Sequence, residues 1–246
     1  MGREGAAPRA AFDRERGVSA IELLFVDEHV VVANKPSGLL VHRGWGQDDD
    51  VAMFRVRDAL GGAHVHPLHR LDRGTSGALV LARTREVHAE LSKQFEAHSV
   101  QKSYLALVRG KPSGSGTVNH AIPRTEDGER VAAVTHYRVL AQSSVDRCSL
   151  VLAMPETGRL HQVRRHLRHL GHPLVGDVKY GSGVINRHYR DTYAFLRLGL
   201  HAHTIAFTHP VSGTRVEVTA PLPEDFGSAL AKLGLLQNVP VMPALL

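Results

Sequence analysis

The chain has 246 residues and a mass of 26.8 kDa, with 43% hydrophobic and 22% charged residues, the balance of one large or two small packed domains rather than a disordered chain. Apolar runs such as Ala78–Ala82 fall far short of the ~20 residues that cross a bilayer, and no apolar secretory core precedes residue 20, so a cytoplasmic, membrane-free protein is expected; the lone Cys148 excludes an intrachain disulfide and a CxxC site. Lys+Arg exceed Asp+Glu by 30 − 24 = 6, and only six of the 30 cations are lysine, a bias that suits a phosphate-rich partner as well as it suits a GC-rich genome.

Residues 1–17 lack periodicity and read as a disordered basic tail. Ile21–Val26 and Val30–Ala33 flank a turn at Asp27-Glu28-His29, the pattern of a hairpin. Val51–Leu60 reads as a helix stopped by Gly61-Gly62, and Ala78–Ala82 as a strand buried on both faces. Glu86–His98 is helical by its spacing of Val87, Leu91 and Phe95. Ser103–Val108, Val131–Leu140 and Ser149–Met154 read as strands, and a helix covers about Leu160–Leu170. Gly181–Arg190 is expected to be a polar insertion. His203–Thr208 and Thr214–Thr219 form a second hairpin, Glu224–Leu235 a closing amphipathic helix, and residues 237–246 a loose tail. Short strands with a few helices indicate an α+β fold on a mixed sheet, with one catalytic domain over residues 18–236.

Three segments carry chemistry. In His69-Arg70-Leu71-Asp72-Arg73-Gly74-Thr75-Ser76-Gly77, Asp72 lies between two arginines in a glycine-containing turn before the buried strand. Nearby cations favour the ionised carboxylate, so Asp72 is either a nucleophile or base rather than an acid, or a structural aspartate that caps the turn or pairs with an arginine. In Glu156–Arg168, a 100° wheel puts Val163, Leu167 and Leu170 on one face and His161, Arg164, Arg165 and Arg168 on the other. That basic face either grips an anion or is solvated. Tyr104, on a strand, either stacks on a base and moves a proton or fills the core. His161, His166, His169 and His172 do not reproduce His-x3-His, and no HExxH, GxxxxGK[ST], GxGxxG or GxSxG occurs, so neither a metal nor a nucleotide cofactor is expected.

Taken in order, these segments resemble the pseudouridine synthases of the ribosomal large-subunit synthase A type. The matching stretches are Ala33-Asn34-Lys35-Pro36-Ser37-Gly38 with Val41-His42, His69–Gly77, Lys102–Gly110, Thr157–Arg164, and Leu170–Asp177. Val41–Gly44, Ala133–Leu140 and the doubled arginine at 164–165 are most similar to members that modify uridine-65 of tRNA. Val163 departs from the usual Leu or Ile, and Gly74 stands where proline is frequent, which puts the stiffness of the Asp72 turn in doubt.

The resemblance implies a largely antiparallel bent sheet flanked by helices, with a central catalytic cleft. It implies that Asp72 attacks a flipped-out uridine, that Arg164 pairs with Asp72, and that Tyr104 stacks on the uracil and takes its C5 proton. Arg70 would fill the space the base leaves, with Arg73 and His69 beside it on the RNA. Arg165, Arg168 and Lys179 would hold the RNA backbone. The implied partner is RNA, tRNA ahead of ribosomal RNA, bound by a monomer without a cofactor. A non-catalytic RNA-binding module and a base-excising hydrolase are the competing readings. The hydrolase is disfavoured because only Glu156 offers a second acid near a motif.

Overall fold

A computed structural model describes residues 12–13, 18–43, 50–125 and 128–240, and the chain divides into two compact units. The first unit comprises residues up to Val100 and the later stretch Ala206–Pro221; the second comprises Gln101–Ile205 and the residues from Leu222 onward. Of the tail expected over residues 1–17, only β1 (Phe12–Asp13) lies within the described residues, paired with β2 (Val18–Ser19).

In the first unit, β3 (Glu22–Val26) and β4 (Val30–Lys35) form the expected hairpin. Its turn is fixed by the Asp27 carboxylate, which accepts the N–H groups of His29 and Val30 at 2.7 Å each. After α1 (Ala52–Ala59) and the short β5 (His66–Pro67), β6 (Ser76–Ala82) runs antiparallel to β4, from Val30↔Ala82 to Lys35↔Gly77. Every residue of β6 is buried, as an apolar run without alternation requires. The helix α2 (Arg85–Glu96) starts at Thr84, whose hydroxyl accepts the Val87 N–H, and buries Val87 and Leu91.

The second unit is built on β7 (Gln101–Arg109), β8 (Ser115–Asn119), β11 (Val134–Gln142) and β12 (Cys148–Pro155), in the order β7-β12-β11-β8 and antiparallel throughout. The expected strand over Val131–Leu140 is two strands. Arg130–Val131 (β10) pairs instead with Ile122–Pro123 (β9), and Ala132-Ala133 breaks the run before β11.

Period-2 alternation divides this sheet into two apolar faces. Leu105, Leu107, Leu150 and Leu152 pack with Tyr189, Tyr193, Phe226 and Leu230 on one face. On the other, Ala106, Val108, Val151 and Ala153 meet Val163 and Leu167 of α3 (Gln162–His169). The stretch expected to be a polar insertion is in fact α4 (Gly183–Tyr193). Ile185, Tyr189 and Tyr193 recur every four residues and enter the core, and the polar residues between them outnumber and hide that stripe.

The strand β13 (Leu200–Thr208) is followed by β14 (Arg215–Thr219), which pairs with it as the expected second hairpin. α5 (Glu224–Lys232) ends three residues earlier than expected. Gly234, at φ +69°, turns the chain there, and Leu235 N–H bonds back to Leu230. Of the expected C-terminal tail, residues 237–240 include the end of a 3₁₀ turn, Leu236–Asn238, and residues 241–246 lie outside the described set.

Candidate active site

Asp72 sits half-buried in a turn closed by the Thr75 N–H on its carbonyl at 3.0 Å. The turn is tied to the segment after β4. Gly38 N–H donates to the Arg73 carbonyl at 2.7 Å, Arg73 Nε donates to the Gly38 carbonyl at 3.0 Å, and Ser37 Oγ donates to the Gly74 carbonyl at 2.8 Å. Gly38 adopts φ +87°, a conformation that disfavours any side chain at this crossing. These tethers hold the turn without the proline that Gly74 replaces.

Beneath them, Lys35 is fully buried, and its ammonium donates to the carbonyls of Pro36, Leu39 and Arg73 at 2.9, 2.6 and 3.3 Å. A buried ammonium needs such partners, and here they fasten the loop after β4 to the residue following Asp72. The Thr75 hydroxyl is buried with no hydrogen-bond partner, an exception of the kind that gathers at working sites. Arg70 is exposed. His69 serves the fold: its Nε2 accepts the Val80 N–H at 3.1 Å, and its ring stacks on Phe95 at 5.3 Å.

In the second unit, Tyr104 lies half-buried on β7 opposite Ala153, packed on the Ala106–Val108 face. Lys102 lies two residues earlier on the same side of the strand. Among the described residues its ammonium reaches only the Glu156 carbonyl, at 3.4 Å, and burial pushes its pKa down to about 8.

The helix α3 begins with two unusual residues. His161 adopts φ +54°, a left-handed conformation costing on the order of 1 kcal/mol. Gln162 is buried, and its amide oxygen accepts from Thr157 Oγ1 and the Arg159 N–H at 2.7 and 2.9 Å. Its amide nitrogen donates to the Val134 carbonyl and Thr135 Oγ1 at 2.8 and 3.0 Å.

The wheel put Arg164 on an exposed basic face, but Arg164 is only 8% exposed. Its Nε and Nη2 donate to Asp177 Oδ2 and Oδ1 at 2.8 and 2.9 Å, a bidentate pair within the second unit. Asp177 also accepts the N–H groups of Lys179 and Tyr180, at 3.0 Å each. Burial alone would raise the Asp177 carboxyl, but Arg164 and the backbone donors hold it below the ordinary aspartate value.

The other expected cations gather around Tyr180, a residue to which the sequence reading gave no role. The charged groups of Arg164, Arg165, Arg168 and Lys179 lie 5.0, 5.5, 5.8 and 5.9 Å from its ring centre. The clustered histidines are spoken for individually. His166 is fully buried between Thr135 Oγ1 and the His120 carbonyl, both at 2.9 Å, while His169 stacks on His120 and His172 bonds to the Arg109 carbonyl.

A family model described as RNA pseudouridylate synthase matches residues 29–169. The chain belongs to this family of isomerases, which act on uridine in RNA. It is 42% identical over 223 residues to tRNA pseudouridine synthase C of Pectobacterium carotovorum subsp. carotovorum, a match covering 81% of this chain and 58% of that relative. To tRNA pseudouridine synthase C of Yersinia pestis it is 39% identical over 237 residues, 87% of this chain and 91% of the relative. Among solved structures, human RNA pseudouridylate synthase domain containing 4 superposes with a TM-score of 0.69 at 30% identity, covering 86% of this chain and 92% of the other.

Proposed function

We propose that this chain converts one uridine of tRNA, uridine-65, to pseudouridine with Asp72 as its nucleophile. The observation that carries the reading is the Asp72 turn: a half-buried carboxylate on a loop tied down by hydrogen bonds from Gly38, Ser37, Lys35 and Arg73. Such a mount holds a reacting group in place. The tRNA assignment is supported by the two relatives described as tRNA pseudouridine synthase C.

In this reading the target uridine leaves its stack, and exposed Arg70 takes its place. Asp72 attacks, the N1–C1′ bond breaks, the base turns, C5 bonds to C1′, and the Asp72 carboxylate is released. The proton lost from C5 is balanced by one gained at N1, so the net change is isomerisation. Tyr104 stacks on the uracil and receives the C5 proton. Arg164, whose guanidinium Asp177 fixes, is the arginine that the family resemblance assigns to the reacting carboxylate.

The test is carbodiimide-stop mapping of pseudouridine on unmodified tRNA and ribosomal RNA transcripts, with wild type and Asp72→Asn. The expected result is one Asp72-dependent stop in the T-stem side of the acceptor arm. A stop only in ribosomal RNA would keep the chemistry and overturn the tRNA assignment. No stop on any transcript would overturn the catalytic reading.

A further inference from the structure

The Tyr180 ring is where four positive charges meet, and like charges do not gather without a cause. Arg164 has its answer in Asp177, and that carboxylate is fully engaged by the Arg164 fork and two backbone N–H groups. Arg165 and Arg168 have no carboxylate partner among the described residues. The aromatic face gives Arg165, Arg168 and Lys179 a neutral, electron-rich platform at 5.5–5.9 Å.

The phenol oxygen adds direction. It accepts from Arg165 Nε at 2.9 Å and shares a second hydrogen bond with His161 Nδ1 at 2.9 Å. Arg168 and Lys179 reach solvent, and Arg165 is half-buried behind them. Two guanidinium forks and an ammonium around one point match the several oxygens of a phosphodiester, which accept paired N–H donors.

We infer that Tyr180 is a positioning residue that gathers Arg165, Arg168 and Lys179 into one site for a single phosphodiester of the substrate RNA. The inference rests on the RNA-modifying reading above and adds to it a specific site and a residue that builds it. It also joins the site to the chemistry. The Tyr180 and Lys179 N–H groups bind the same Asp177 oxygen that receives Arg164 Nη2, so the grip on the backbone and the placement of Arg164 share one turn.

The test uses the full chain and an unmodified tRNA transcript, with Kd measured over a salt series and single-turnover rate measured at saturating RNA. Tyr180→Phe keeps the ring and removes the phenol oxygen, so Kd should rise about threefold to tenfold while the saturating rate stays within about twofold. Tyr180→Leu should weaken binding further, and thermal melts confirm that both variants fold. Arg165→Met should lose affinity and flatten the salt slope. On that background, Tyr180→Phe should add less than about twofold, because the group it positions is gone.

A wild-type Kd for Tyr180→Phe, or multiplicative losses in the double variant, would overturn the inference while leaving the enzyme intact. A wild-type protein whose binding to the transcript ignores salt would instead overturn the RNA reading on which it stands.

Discussion

Arg164 and Asp177 face each other through two parallel hydrogen bonds, 2.8 and 2.9 Å, in a place where the arginine is 8% exposed and the aspartate 1%. Such a pair adds little net stability over an apolar pair of equal volume, yet removing one partner strands a charge in the interior. Asp177→Asn should therefore lower stability by about 3–5 kcal/mol in urea unfolding. Arg164→Met added to it should recover part of that loss while leaving RNA isomerisation abolished.

Lys35 makes a similar prediction for the first unit. Its ammonium is the common donor to three carbonyls, and Lys35→Met would take that donor from Pro36, Leu39 and Arg73, the last of which still accepts the Gly38 N–H. A cost of about 2–4 kcal/mol is expected, in the range for a broken buried network. Because the Asp72 turn loosens, the single-turnover rate should fall more than RNA affinity does.

Lys102 gives a pH dependence of opposite sign to the usual surface lysine. Burial pushes its pKa from 10.5 to about 8, so between those values the unfolded chain binds the proton that the folded chain has released. Stability contributed by this group therefore rises with pH across that window, and below pH 8 the full burden of burying the ammonium persists. Lys102→Met should raise Tm at pH 7, and the gap to wild type should narrow by pH 10. A gap that stays constant would show a solvated amine.

Gly176 sets the turn that delivers Asp177. It holds φ +76°, and a Cβ there would lie 1.9 Å from the Arg197 carbonyl oxygen. Gly176→Ala should cost about 2–4 kcal/mol from strain and overlap together. The expected signature is a lowered Tm, with Arg197 unable to relieve the clash because its backbone is the obstacle.

Much of this was readable from the chain. The unbroken apolar run at Ala78–Ala82 announced a strand buried on both faces, and the turn carrying Asp72 falls just before it as expected. α3 was readable from Val163 and Leu167. The role of Arg164 within it was not, since a helical wheel reports faces and not the loop that closes over one of them. Between Glu156 and Gly181 the only other acid is Asp177, and that solitary charge among many cations was the available signal. Tyr180 left no comparable trace: its platform exists only because the turn after α3 folds it back onto the helix. α4 was hidden because its three core residues are embedded among polar ones, and Asn186, which reads as solvent-facing, bonds to Gly176 N–H and the Asp177 carbonyl at 3.0 Å each.

The amide of Gln162 has a consequence for how this protein responds to its surroundings. All four of its hydrogen-bonding positions are met, and rotating the amide by half a turn would set its NH₂ against the Arg159 N–H and its oxygen against the Val134 carbonyl. One orientation alone is permitted, and a glutamate in its place would lack the two donors. The mounting of α3 is thus neutral, buried and indifferent to ionic strength, whereas the arginines it carries outward act through charge that salt screens. Raising salt should detach the RNA and leave the instrument that holds it in register unmoved.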